Sequence, residues 1–137
     1  MANPAPGFEK HPDYLVTVTP LEGTLSVKLN GTTIARSKRA VVLNETRHRP
    51  VWYMPLADID VAFTEPTDTR TFCPFKGYAS YWSVQTDEAR EEDAIWAYCD
   101  PYDECLAIKD HASFYTNKLD VYIDDEPVDK AGPGWTD

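Results

Sequence analysis

The sequence has few of the features that identify a metal site, a phosphate-binding loop or a membrane protein. Its three cysteines, Cys73, Cys99 and Cys105, form no Cys-x-x-Cys pair, and their odd number does not suit a disulfide framework. It contains no glycine-rich phosphate loop, and no stretch approaches the roughly 20 apolar residues that span a bilayer. Structural zinc, disulfide cross-links and membrane insertion are therefore not expected, and no cofactor is predicted.

Positive charge is also scarce. Thirteen Lys and Arg residues stand against 23 Asp and Glu residues, for a net charge of −10. A protein that binds nucleic acid or an anionic membrane through charge needs a surplus of cations, so neither partner is expected. The start of the sequence lacks the basic and apolar regions of a signal peptide, which makes the cytoplasm the expected location.

The pattern of the remaining residues predicts a mainly β fold. A chain of 137 residues fits one domain. Residues 24–30 alternate polar and apolar side chains, and Asn30-Gly31 follows, a pair that favours a two-residue hairpin turn. Short strands with frequent turn signals are typical of a barrel or a sandwich. The predicted strands are 24–30, 32–36, 39–45, 51–54, 61–63, 69–73, 79–84, 94–98 and 119–123, and the predicted short helices are 55–60 and 103–109.

The segment from Cys73 to Trp82 combines a thiol, a lysine, a glycine and four aromatic rings in ten residues. Cys73 is either a nucleophile whose thiolate Lys76 stabilises, or a buried cysteine packed as a small apolar group. If Gly77 has a positive φ, the turn at Lys76-Gly77 can seat an anion. Otherwise the same residues form a reverse turn with a solvated lysine. The segment therefore predicts a site without naming a reaction.

Aromatic residues form a second candidate set. Residues two apart on a strand share a face, so Trp96 and Tyr98 point the same way, whereas Tyr81 and Trp82 point in opposite directions. Most of these rings belong in a core. The surplus of Tyr and Trp over Phe nevertheless suits a partly hydrated cavity, because both carry a polar group.

The remaining candidate site residues are charged residues and histidines. Glu45 ends an apolar strand just before Arg47, so it either pairs with a nearby arginine or faces a cavity as an acid or base. The basic stretch from residue 36 to residue 49 is either a solvated loop or a rim that holds a carboxylate or phosphate. His48 or His111 can act as a general base if the fold brings one of them to the site.

The order of landmarks along the chain resembles the domain-of-unknown-function family numbered 427. The specific part is the block Cys73-Pro-Phe-Lys-Gly77 followed by Ser80-Tyr-Trp82. The resemblance covers about residues 21–125 and leaves a proline-rich arm over 1–20 and an acidic tail over 126–137. The supporting landmarks are Asn30-Gly31, Glu45-Thr46, Pro50-Val-Trp-Tyr53, Trp96-Ala-Tyr98, Asp100-Pro101 and Phe114-Tyr115.

The resemblance implies a single domain of coiled antiparallel sheets, barrel-like or of the β-tent (Mss4-like) group, with one or two short helices. Several members of that group bind zinc through paired Cys-x-x-Cys knuckles. This sequence lacks those knuckles, so no metal is carried over to it. The family is sometimes filed under a nucleotidyltransferase label, which the residues of this chain do not support.

Three hypotheses for function follow. The first is a domain that binds an unidentified small molecule. Its pocket would be walled by Tyr81 or Trp82 with Trp96 and Tyr98, and Lys76, Gly77, Arg47 and Glu45 would lie around the turn as anchors. The second is an enzyme that uses Cys73 as a nucleophile or redox thiol, with Lys76 stabilising the thiolate. The third is a protein-interaction domain whose exposed aromatic side chains meet a partner or form a homodimer.

Overall fold

The computed structural model describes residues 2–130, which form two antiparallel β-sheets joined by short helical turns. An α-helix, α1, covers Gly7–Lys10, and 3₁₀ helices cover Leu56–Asp58, Val61–Phe63 and Asp103–Ile108. The strands are β1 (Val16–Pro20), β2 (Leu25–Leu29), β3 (Thr32–Ser37), β4 (Val41–Glu45), β5 (Val51–Pro55), β6 (Thr64–Cys73), β7 (Gly77–Gln85), β8 (Arg90–Ala97), β9 (His111–Phe114), β10 (Asp120–Ile123) and β11 (Glu126–Pro127).

The larger sheet has seven strands in the order β1-β4-β5-β9-β8-β7-β6, and the smaller has four in the order β11-β10-β2-β3. The predicted mainly β domain with antiparallel sheets and short helices is confirmed. Within residues 2–130 the larger sheet stays open, with β1 and β6 at its two edges, so it does not close into a barrel. The finer likeness to the β-tent group stays a prediction.

The hairpin between β2 and β3 has the predicted turn. Asn30 has a φ of 49° and Gly31 a φ of 85°, so both central residues are left-handed, as a type I′ turn requires. Leu29 and Thr32 are paired across the turn. Local sequence was sufficient here because the turn residues themselves dictate the geometry.

Strand alternation divides the core of the larger sheet between its two faces. Met54 and Ile95 belong to an apolar cluster with residues of the smaller sheet, such as Leu25. Their neighbours Tyr53 and Trp96 belong to a second cluster on the other face. This second cluster contains most of the ring-bearing candidates, so the aromatic side chains concentrate on one side of one sheet.

Several predicted elements differ from the structure. The predicted strand at 61–63 is wrong, because Val61–Phe63 is a 3₁₀ helix whose first turn is capped by the Asp60 carboxylate accepting a hydrogen bond from the Ala62 amide. The strand predicted at 94–98 begins earlier, at Arg90. Its acidic residues remain compatible with a strand because Arg90 Nε donates to Glu92 at 2.7 Å. Strands β1, β9 and β11 lie where no strand was predicted.

Residues 2–20, the described part of the predicted arm over residues 1–20, include segments that pack against the Cys73–Gly77 turn. The Gly7 amide donates to the Pro74 carbonyl at 2.9 Å, and the Tyr14 and Phe75 rings stack with centroids 3.9 Å apart. Its last residues form β1, which pairs with β4. The division of the chain at residues 20 and 125 stays a prediction, and residues 131–137 of the predicted tail lie outside the described residues. None of the helices within residues 2–130 has the length and apolar character needed to cross a bilayer.

Candidate functional site

The Cys73–Gly77 turn directs its lysine into the protein. The Lys76 amide donates to the Cys73 carbonyl at 3.2 Å, which closes the turn. Gly77 has a φ of 121°, a conformation that L side chains rarely adopt. Lys76 is buried, so the alternative of a solvated lysine does not hold.

A buried ion pair joins this turn to the end of β4. The Lys76 Nζ lies 2.6 Å from Glu45 Oε1. Glu45 therefore pairs with a lysine 31 residues away instead of the expected nearby arginine. Arg47 is exposed, and its φ of 60° shows that the chain turns immediately after the strand. Arg47 is not among the residues that line the cavity described below, and its predicted role as an anchor stays a prediction.

Two further polar side chains surround the Glu45 carboxylate. The Tyr14 hydroxyl donates to Glu45 Oε2, and His48 Nδ1 lies 3.2 Å from the Tyr14 oxygen. His48 Nδ1 also lies 2.9 Å from the Thr46 carbonyl oxygen. Because a carbonyl oxygen can only accept, Nδ1 carries a proton in this arrangement. Burial and the adjacent Glu45 carboxylate raise the pKa of Tyr14, so its phenol stays protonated.

Glu45, His48 and Lys76 line one part of a polar cavity of about 240 Å³. Strands β7 and β8 supply the opposite wall, where Tyr81 and Trp96 are direct partners in the ladder and Tyr98 follows Trp96 on the same face. Position 98 lies immediately beyond the end of β8. The lining residues are Glu45, His48, Val51, Tyr53, Lys76, Tyr81, Trp96, Tyr98 and Tyr115.

The hydroxyl of Tyr98 makes no hydrogen bond to any residue within 2–130, although Tyr98 is 7% exposed. No fully buried side-chain oxygen in that part of the chain lacks a partner, so this hydroxyl must keep contact with solvent. The cavity that Tyr98 lines provides that contact. Burial raises the pKa of Tyr98, and Tyr98 therefore presents a protonated phenol to the cavity.

The remaining phenols are partly engaged. The Tyr53 hydroxyl accepts a hydrogen bond from Trp96 Nε1 at 3.2 Å, which leaves its own proton available. The Tyr81 hydroxyl lies 2.9 Å from the Thr71 hydroxyl. The Tyr115 ring packs against Trp96 with centroids 4.6 Å apart. The cavity therefore has aromatic walls with hydroxyl groups at their edges.

Cys73 lies beside this network. Its Sγ is 3.9 Å from Lys76 Nζ, and the residue is partly buried against the second apolar cluster. Cys105 is buried, and burial raises the pKa of its thiol to about 11. Cys99 is exposed, but burial of its thiol and the Asp110 carboxylate still raise its pKa. The three cysteines thus occupy different electrostatic surroundings.

Two other predicted wall or anchor residues do not line the cavity. Trp82 lies on the opposite face of β7, where it borders a separate apolar cavity with Ile59 and Ile95. Of the predicted alternatives Tyr81 and Trp82, the structure therefore brings Tyr81 to the site. Gly77 shapes the turn, and its backbone packs near the Asp100 carbonyl without lining the cavity.

The sequence did not predict Tyr14 at the site, and it placed Tyr53 and Tyr115 in the wider aromatic set without assigning them to the pocket wall. Tyr53 and Tyr115 carried a usable signal, since both lie in the aromatic landmarks. Tyr14 carried none, because its contact with Glu45 depends on how the arm crosses the turn. His111 lies away from the cavity, with its Nδ1 2.8 Å from the Lys109 carbonyl. Within residues 2–130, no group of three or more His, Cys, Asp or Glu side chains is arranged to hold a metal ion.

Comparison with known proteins gives one finding on family. The family model described as Domain of unknown function (DUF427) matches residues 17–125. The matched part includes every residue that lines the cavity and begins three residues after Tyr14. A comparison with curated proteins gave no match.

Proposed function

The chain belongs to the family described as Domain of unknown function (DUF427), a description that states no activity, and from its own residues we propose that it is a small-molecule-binding domain. Its ligand occupies the cavity between the Glu45–Lys76 pair and the Trp96 wall. The observation that carries the proposal is the Tyr98 phenol, which is buried, faces this cavity and has no partner within residues 2–130.

The composition of the cavity supports this function. Binding sites combine apolar or aromatic walls with a few polar groups that fix the orientation of the ligand. Trp96 and Tyr115 supply the walls here, and Lys76, His48 and Tyr98 supply the polar groups. Burying a lysine and a carboxylate together rarely adds stability compared with apolar residues, so a role in binding accounts for the pair better than packing does.

A thermal-shift screen of a metabolite library tests the proposal. We expect at least one compound to stabilise the wild type and to lose most of that effect in Tyr98→Phe, which removes one hydroxyl and keeps the ring. Tyr78→Phe is the matched control, because Tyr78 is an exposed tyrosine on β7. If no compound binds, or if every stabilising compound acts equally on Tyr98→Phe, the proposal fails.

An enzyme that uses Cys73 is the second candidate. It is favoured by the 3.9 Å between Cys73 Sγ and Lys76 Nζ, because a nearby ammonium group stabilises a thiolate. Against it stands the position of Lys76, whose Nζ is closer to Glu45 than to the sulfur. The reactivity of the three thiols separates the two candidates.

An interaction or homodimerising domain is the third candidate. Phe72 and Tyr78 are exposed on β6 and β7, and their ring centroids lie 4.9 Å apart. Exposed aromatic pairs of this kind are enriched at protein interfaces. Sedimentation velocity over a range of concentrations tests it: a concentration-dependent mass that Phe72→Ser abolishes supports this candidate, and a constant monomer mass removes the homodimer.

A further inference from the structure

Some hydrogen-bonding groups around the cavity have partners within the protein, and others do not. Glu45 Oε1 accepts from Lys76 and Oε2 accepts from Tyr14, so both acceptor atoms of the carboxylate already have a partner. Donors without an acceptor within residues 2–130 include the Tyr98 hydroxyl, the Tyr53 hydroxyl proton and the N–H of Lys76 that neither Glu45 nor Cys73 receives. The cavity therefore presents donor hydrogens beside a carboxylate whose two oxygens already accept from the protein.

From these donors, one of them a charged ammonium group, we propose that the cavity binds the carboxylate of a small planar carboxylic acid, with Lys76, Tyr53 and Tyr98 as donors. This inference rests on the proposed function and specifies its ligand class. A carboxylate has two oxygens that accept hydrogen bonds and none that donates, so it complements donors that line one cavity. An amide offers one acceptor oxygen and two N–H groups that need acceptors of their own. An amine offers donors alone.

The volume of the cavity and the side chains that line it restrict the class of ligand further. Drug-sized ligands occupy sites of roughly 300–1,000 Å³. The cavity of about 240 Å³ suits a ligand of one ring or a short conjugated chain. Trp96 and Tyr115 give a planar molecule a face to stack on, and Val51 adds an apolar contact at the edge.

Protonation keeps the donors available. Burial raises the pKa of both Tyr53 and Tyr98, so their phenols hold their protons at neutral pH. Lys76 and Glu45 form a pair with no net charge, so the carboxylate of the ligand brings one negative charge into a neutral cavity that donates to it. Hydrogen bonds from neutral and charged donors to an ionised acceptor are the stronger class.

The test uses the full chain and pairs of matched compounds. Benzoate, 4-hydroxybenzoate and 2-furoate are titrated by isothermal calorimetry, each beside its primary amide, with benzylamine as the cationic counterpart. We expect at least one carboxylate to bind at least tenfold more tightly than its amide and than benzylamine. We also expect Tyr98→Phe to weaken that carboxylate about tenfold or more, since one hydrogen bond to a charged group is lost. Tyr78→Phe should leave the affinity unchanged.

The outcomes are distinct. The inference is overturned if none of the three carboxylates binds, if the amides or benzylamine bind as tightly, or if Tyr98→Phe has no effect on carboxylate affinity. If Tyr98→Phe does not fold, Tyr53→Phe is measured in its place, because it removes another of the proposed donors and should also weaken binding of the carboxylate. If library compounds without a carboxylate bind in a Tyr98-dependent way, the proposed function stands and the carboxylate inference falls. If nothing binds in a Tyr98-dependent way, both fall.

Discussion

Lys76 Nζ and Glu45 Oε1 form an ion pair in which the lysine side chain is 10% exposed and the glutamate side chain 5%. The pair connects the turn before β7 to the end of β4, two strands that are not neighbours in the sheet. It therefore fixes the distance between two separate parts of the cavity wall. Breaking it should affect both the stability of the fold and the shape of the site.

We predict that Lys76→Met lowers the free energy of unfolding by about 3–5 kcal/mol, because it leaves the Glu45 carboxylate buried without its cation. Arg39→Met is the control. It breaks the Arg39–Asp58 pair at 2.8 Å, in which Arg39 is 65% exposed, and solvent-exposed ion pairs contribute little to stability. Urea unfolding monitored by tryptophan fluorescence measures both variants. If the two variants lose the same free energy of unfolding, the buried Lys76–Glu45 pair matters no more to stability than the exposed Arg39–Asp58 pair, and the prediction is wrong.

Tyr14→Phe should also destabilise the protein, because it removes the hydrogen bond that the hydroxyl donates to Glu45. Hydrogen bonds to charged groups contribute about 1.5–3 kcal/mol, and the partial exposure of Tyr14 places the expected loss near the lower value. The same unfolding experiment on Tyr78→Phe should show a change within about 0.5 kcal/mol. If the two variants behave alike, the arm does not hold Glu45 in solution.

The thiols should differ in their rate of alkylation by iodoacetamide at neutral pH, followed by mass spectrometry of peptides. If the Cys73 enzyme candidate is right, Cys73 reacts fastest, because Lys76 stabilises its thiolate. Cys105 should be slowest, since it is buried and its pKa is raised to about 11. Lys76→Met should slow Cys73 and leave Cys99 unchanged. Labelling of Cys73 no faster than that of Cys99 would remove this candidate.

Asp93 should make part of the stability dependent on pH. The hydroxyls of Thr67 and Thr69 each donate to its carboxylate at 2.6 Å, and these bonds lower the pKa of Asp93. A carboxyl whose pKa is lower in the folded state stabilises the fold above its unfolded pKa, and this contribution is lost as the pH falls through the folded pKa. We expect the difference in unfolding free energy between the wild type and Asp93→Asn to be largest near neutral pH.

That difference should shrink below about pH 4, near the ordinary pKa of an aspartate. Asp68→Asn, on the same strand as the two threonines, is the control, because Asp68 is exposed. Urea unfolding at a series of pH values measures the profile. A difference that stays constant down to acid pH would contradict the assignment.

Local signals predicted the β elements and the turn chemistry of this chain, as at Asn30-Gly31, where residues in sequence determine the backbone directly. Alternation also predicted that Tyr81 and Trp82 face opposite ways. It did not predict which of these two side chains points into the cavity. Alternation along a strand puts neighbouring side chains on opposite faces of the sheet, but it does not say what packs against each face. That choice depends on the packing of the smaller sheet and the arm.

The charged part of the site was harder to predict. Glu45 lies 31 residues from Lys76 and 31 residues from Tyr14, so both contacts depend on the order of strands in the sheet. A nearby arginine was the natural expectation for Glu45, because local pairs need no knowledge of topology. In the structure Arg47 is exposed, and the carboxylate pairs with the lysine.

The outer border of β6 carries Glu65, Pro66, Asp68 and Arg70, all exposed. Proline has no amide hydrogen to offer an incoming strand, and charged side chains must be desolvated before a ladder can extend. Growth of the sheet by addition of a second molecule along this border is therefore disfavoured. If copies of the chain associate, we expect them to meet through ring-bearing faces such as that of Phe72 and Tyr78, which limits assembly to closed pairs and opposes fibre formation.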